Sequence, residues 1–343
     1  MKLNKIFILI GCVVFLFNSF YATATTKKTK PIGKKIEETS KKEKTPAKKK
    51  IFIAPQVAKI FDEDVTTRKN RNDIPLTFIR TLFLPAQQNN FYPIFLFKIK
   101  NDDLGFTAPT EEEKMLLTKL YVFVRFYRME NGNLKDIFKE FYIPYQVKVK
   151  KEEYNPEEFN TYSFGYLFPP GDYLIALAVT SNDLTKIGTI YSEFSLPDPA
   201  SFQGRLETTP LFSVKSIKQL TTPEKRLRVH KNSFVYGGLF IEPKIENIYS
   251  VGENLDLFYF ILGASVDSKT QKSNLEIKYS IKKGEEEVTI FPPQSTNVPI
   301  VSQPIPLISQ GKNLEPGNYT LVIEILDKIS NSSITKEFPF EIK

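Results

Sequence analysis

The 343-residue chain has no tryptophan, one cysteine, one histidine and three methionines. Each shortage closes a route. A serine triad or a Cys-His pair would have to use His230, and no Gly-x-Ser-x-Gly elbow is present. The setting of that histidine, Arg228-Val229-His230-Lys231, reads as a solvated strand edge. Zinc takes histidine, cysteine or clustered carboxylates at short spacing, and too few of these ligands exist. Without tryptophan a sugar-binding platform loses its preferred ring, although tyrosine can substitute. Cys12 lies inside the first apolar run, so a chain cut beyond it holds no disulfide even in an oxidising compartment. These gaps predict a non-enzymatic protein with no catalytic residues, no cofactor and no metal.

What the chain does have is strand chemistry: 29 Phe, 16 Tyr and 23 Pro. Aromatics suit half-buried pleated surfaces, and prolines suit turns and protected edges. The formal charge of +8 is concentrated at one end. Residues 25–50 carry eleven lysines against Glu37, Glu38 and Glu43, and Lys2 and Lys5 add two more positive charges. Residues 51–343 are therefore close to neutral, and the basic balance is no argument for a nucleic-acid partner.

The N-terminus reads as an export signal. Lys2 and Lys5 precede an apolar run from Ile6 to Phe17, and Ala22-Thr23-Ala24 gives a small-x-small cleavage pattern. The run is short for a membrane span, which needs about 20 residues. The expectation is a signal peptide over 1–24, cut after Ala24, and a periplasmic or secreted protein. The alternative is lipid anchoring through Cys12, since Leu9-Ile10-Gly11-Cys12 is similar to a lipobox. Residues 25–50 have too little apolar content to fold. They read as a disordered Lys-rich tether able to touch an anionic membrane or cell wall.

One pattern occurs twice. Pro170-Gly171-Asp172-Tyr173 precedes Leu174-Ile175-Ala176-Leu177-Ala178-Val179, and Pro316-Gly317-Asn318-Tyr319 precedes Thr320-Leu321-Val322-Ile323-Glu324-Ile325. Proline presets φ and glycine accepts positive φ, so each reads as a turn into a strand. Alternation puts Tyr173, Ile175, Leu177 and Val179 on one face, and Tyr319, Leu321, Ile323 and Ile325 on another. Ala176 and Ala178 leave the first strand's second face thin, as if something covers it. A last strand follows each copy, with Phe194 placed opposite Phe338 as equivalents.

Around these turns the order strand, strand, hairpin, Pro-rich crossing, Pro-Gly-x-Tyr hairpin is repeated. The predicted layout is a first β-sandwich over 51–198, a linker with a bridging strand over 199–227, and a second β-sandwich over 228–343. Asn131-Gly132 marks a hairpin, Val147–Lys150 an edge strand, and residues 110–120 a short helix begun by Glu111, Glu112 and Glu113. Asp62-Glu63-Asp64, Asn101-Asp102-Asp103 and Asn182-Asp183 are loop candidates for calcium, none with the EF-hand pattern.

The paired turns resemble the tyrosine corner, and the chain resembles the tandem immunoglobulin-like or fibronectin type III-like repeats of bacterial exported proteins. The resemblance implies an all-β chain of two antiparallel sandwiches, each with a Tyr hydroxyl bonded to nearby backbone. Ile175 and Leu321 stand where that family often has cysteine, which implies no inter-sheet disulfide. The function implied is binding or scaffolding of another extracytoplasmic protein through sheet edges and end loops. Alternatives are a chaperone-like module donating a strand edge to exported clients, and a carbohydrate-binding or carbohydrate-acting protein.

Overall fold

The computed structural model describes residues 53–108, 110 and 114–343. The expected signal peptide with Ala22 and Ala24, Cys12 and the expected 25–50 tether lie outside the described residues. The described part begins with helix α1 (Pro55–Asp64). Seven strands follow: β1 (Thr77–Pro85), β2 (Phe91–Lys100), β3 (Met115–Glu130), β4 (Asn133–Lys150), β5 (Phe159–Gly165), β6 (Gly171–Ser181) and β7 (Ile187–Leu196). Then come β8 (Glu207–Thr208), β9 (Phe212–Gln219), β10 (His230–Lys231), β11 (Phe234–Tyr236), β12 (Leu239–Lys244), β13 (Ile248–Tyr249) and β14 (Asn254–Leu262). The last are β15 (Leu275–Lys283), β16 (Glu286–Ile290), β17 (Gln294–Thr296), β18 (Ile300–Pro306), β19 (Ile308–Ser309), β20 (Lys312–Asn313), β21 (Gly317–Asp327) and β22 (Ser332–Ile342).

The molecule is all-β in class, and its ladders are antiparallel except for the short β13–β22 pair. Two sheets, ordered β4-β3-β6-β7 and β1-β2-β5-β10, share one core. Two more, ordered β13-β22-β21-β15-β16 and β11-β12-β9-β14-β18, share a second. The central strands correspond: β3, β6 and β7 in the first pair take the places of β15, β21 and β22 in the second. Likewise β1, β2 and β5 match β9, β14 and β18. Side-chain alternation explains each core. Leu120, Val122, Val124 and Phe126 of β3 point inward, as do Leu275, Ile277, Tyr279 and Ile281 of β15.

The stretch read as a linker carries β9, which is built into the second sheet pair beside β14. From there the chain crosses back, adds His230 and Lys231 to β5 of the first pair, and returns as β11 and β12. The two pairs are also joined through buried outer faces. Leu82, Leu84, Ile94 and Leu96 on one side, and Phe212, Phe258 and Phe260 on the other, are all buried, and β1 lies beside β14. Residues 53–343 thus cluster as one unit. The sequence sign is plain in hindsight. Phe91–Phe97 and Leu257–Phe260 are apolar on both faces, which a one-sided sheet has no use for.

Two local readings are corrected. Residues 115–120 form strand, not helix, because Met115 to Leu120 pair with Lys150 to Tyr145 and extend the β3–β4 ladder. Phe138–Ile143 and Val147–Lys150, read separately, are one 18-residue strand through Pro144. Helix α1 was not expected. Pro55 starts it where a missing N–H costs nothing. Val57 and Phe61 share one face and are fully buried. With Ile53 and Val65 they pack on Phe123, Tyr127, Leu174, Ala176 and Ala178. The thin alanine face is what lets a helix lie close.

Candidate functional site

The repeated turn is built the same way twice. Tyr173 is buried and its hydroxyl donates to the Pro169 carbonyl at 3.1 Å; Tyr319 is buried and donates to the Glu315 carbonyl at 2.9 Å. Gly171 and Gly317 have φ of 143° and 151°, a region entered almost only by glycine. A Cβ on Gly171 would also lie 3.4 Å from the Tyr173 hydroxyl. Pro170 and Pro316 precede these glycines at the surface. Burial raises the pKa of Tyr173, so the phenol stays a donor.

Each ring stacks on a phenylalanine of the last strand, Tyr173 on Phe194 at 5.3 Å and Tyr319 on Phe340 at 5.7 Å. The equivalent of Phe194 is therefore Phe340, the direct partner of Tyr319; Phe338 pairs with Leu321. Spacing alone missed this by one inward-facing position. Tyr173 and Tyr319 belong to the cores, and Gly171 and Gly317 make the turns that deliver them.

Under α1, Arg125 is nearly enclosed. It is held by Asp62 at 2.5 Å and Glu140 at 3.0 Å, with the Phe61 and Tyr127 rings against its guanidinium. Burial opposes its charge, but Tyr127, Asp62 and Glu140 more than offset that and leave its pKa raised. Several side chains of the acidic runs are likewise bound to protein partners. Asp64 binds Arg71 at 2.7 Å. Asn101 is buried and bonds Asn155, Glu158 and Asn160. Asp183 accepts from Ser181 and Thr185, which pull its pKa to about 2. No group of three or more His, Cys, Asp or Glu able to hold a metal occurs among the described residues. His230 sits on β10 at its sheet's edge, with Nε2 3.0 Å from Glu224.

The sheet edges differ sharply in protection. The outer side of β7 is covered by its own chain: the Thr189 N–H donates to the Arg71 carbonyl, and Asn72 bridges Gly188. Segment β19 closes on β16 through Thr289 and Ser309 hydroxyls. Strand β18 ends its sheet with Pro304 and Pro306. By contrast β4 is an 18-residue edge. Lysines stand toward its ends, while Phe141 to Val147 carry no charge, and Tyr142 and Ile137 are exposed. Proline is tolerated at 144 because N–H groups of that parity point off the sheet. By alternation, Tyr142, Gln146 and Lys148 turn theirs the same way.

A second feature is an open groove of about 460 Å³ between β1 and β22, lined by Arg80, Phe83, Thr208, Asn247, Glu337 and Phe338 among others. No sequence pattern pointed to it, since its walls come from four separate stretches. No helix among the described residues is long and apolar enough to cross a membrane.

The chain matches no model of a known protein family and no curated protein. Among solved structures it is similar to crystal structures of Salmonella alpha-2-macroglobulin, a point mutant and the form reacted with methylamine. Both are 10% identical with a TM-score of 0.17. The likeness covers 78% and 80% of this chain but only 16% and 17% of those chains, and at that score it supports no inference of function.

Proposed function

We propose that the chain is a tandem pair of immunoglobulin-like sandwiches, exported from the cytoplasm, that binds or scaffolds another extracytoplasmic protein without catalysis. The observation that carries this reading is β4. It is long, it ends its sheet without the cover seen on β7 and β16 or the paired prolines of β18, and its central seven residues Phe141–Val147 are uncharged. A protected edge normally places charge in its middle. An extended segment of a partner would add to β4 through main-chain hydrogen bonds, with Tyr142 setting side-chain preference.

The test is Gln146→Pro. Its ring removes one outward N–H and leaves the β3–β4 ladder intact, as Pro144 already does. Pull-down from an extracytoplasmic extract should lose a specific partner while the melting temperature barely moves. Unchanged capture by a folded Gln146→Pro protein would refute edge pairing.

A further inference from the structure

Among the described residues, several partly or fully buried cations have a carboxylate. Arg125 has Asp62 and Glu140, Lys244 has Glu253, and Lys336 has Glu207. Arg80 does not. It follows a bulge in β1 and faces the groove between the two sheet pairs. Its Nε and Nη2 are shut off from water and have no acceptor. Burial lowers its pKa, as expected for a desolvated charge without a counter-ion. Enclosed guanidinium donors in folded proteins are normally paired, and an unpaired one calls for an acceptor brought from elsewhere. Nη1 is not among its enclosed, unpartnered atoms.

The same groove holds the opposite need. Asn247 uses its amide N–H on the Pro339 carbonyl, and its Oδ1 is buried with no donor. The remaining walls mix apolar side chains, Phe83, Leu211 and Phe338 among them, with Thr208, Thr209, Lys336 and Glu337. Lys336 is already neutralised by Glu207, and Glu337 adds a negative charge at the rim. Arg80 is the groove cation without a bonded carboxylate, and beside Glu337 a singly charged carboxylate is repelled less than a phosphate dianion. An acceptor anion, a nearby N–H and an apolar flank together describe a peptide. The groove is open, so a chain can run through it.

We propose that this groove binds an extended acidic peptide segment, an Asp or Glu carboxylate meeting Arg80 and a main-chain N–H of the segment meeting Asn247 Oδ1.

The experiment is an NMR titration of the folded chain with N-acetyl-Ala-Glu-Ala-amide, its Gln counterpart and inorganic phosphate, with melting measured alongside. The Glu peptide should bind at least about tenfold more tightly than the Gln peptide, the worth of a charge-assisted bond. Arg80→Met and Arg80→Gln should each lose that preference. Without peptide, Arg80→Met should melt higher than wild type, because an unpaired enclosed charge has been removed. Equal binding of the two peptides, tighter binding of phosphate, or a lower melting temperature for Arg80→Met with Arg80→Gln still preferring Glu would each overturn the inference. Gln146→Pro should leave this binding unchanged, so the groove and the β4 edge fail separately.

Discussion

The two sheet pairs share their central strand order and their tyrosine turns, yet their outermost sheets meet opposite surroundings. Aligned on Tyr173 and Tyr319 through the strand registers, position answers position. Phe123, Arg125 and Tyr127 of β3 stand where β15 has Lys278, Ser280 and Lys282. Leu174, Ala176 and Ala178 of β6 stand where β21 has Thr320, Val322 and Glu324. The first set is apolar around one arginine and lies under α1. The second has exposed Glu324 opposite exposed Lys278 beside a buried Val322. The inner faces keep the same plan because each must fill a core. The outer faces follow whatever covers them.

The comparison extends to the hairpin that ends β6 or β21. Ser181 and Asp327 occupy matching places, opposite Leu120 and Leu275. Asp327 is fully buried and accepts from the Ser265 and Ile329 N–H groups and the Ser330 hydroxyl. Ser181 makes a smaller, exposed version with Asp183 and Lys186. The second pair has tied its loop with a charge, the first with a hydroxyl.

The strongest way to break the contrast is Phe61→Ala. Phe61 is fully buried beneath the helix, and its loss should cost about 3–5 kcal/mol in denaturant unfolding. A cost under about 1 kcal/mol would mean that α1 lies loosely on the sheet. Asp327→Asn should come next, at about 2 kcal/mol, because it removes charge-assisted bonds in a closed site. Burial pushes the Asp327 carboxyl up, but its N–H and hydroxyl donors more than reverse this and hold its pKa below the usual value. Its folded pKa is depressed, so its contribution is present above about pH 4 and lost as pH falls through the folded value. Asp327→Asn should therefore flatten the acid limb of the stability profile.

Tyr173→Phe and Tyr319→Phe should each cost about 1 kcal/mol, one backbone acceptor left to water. Equal losses in thermal melts sharpen the claim that the two turns are one device; a loss at one site alone breaks it. The smallest effect belongs to the bare face. Glu324→Ala should change stability by less than about 0.5 kcal/mol, since its cross-strand partner is exposed.

How much of this was legible varies by element. The β-rich class and the inward faces of β6, β15 and β21 follow from period-two alternation within single strands. The helix left only a trace, since Val57, Phe61 and Val65 span one short stretch, but Ala176 and Ala178 recorded its presence from the other side. The equivalence of Phe194 was misplaced because spacing counts residues and ladders count rungs. The groove left no sequence sign at all. Arg80, Asn247 and Phe338 are distant in the chain and ordinary in their neighbourhoods.

The amino-acid order alone determined the long central strands, their turns and which side of each faces inward, because those depend on neighbours two to four residues away. Only tertiary structure decided that β9 joins the second pair, that β10 returns to the first, that a helix roofs one sheet and not its counterpart, and that Arg80 has no counter-charge. Such outcomes rest on desolvation and on surfaces meeting across a hundred residues or more, and no local pattern encodes which surfaces will meet.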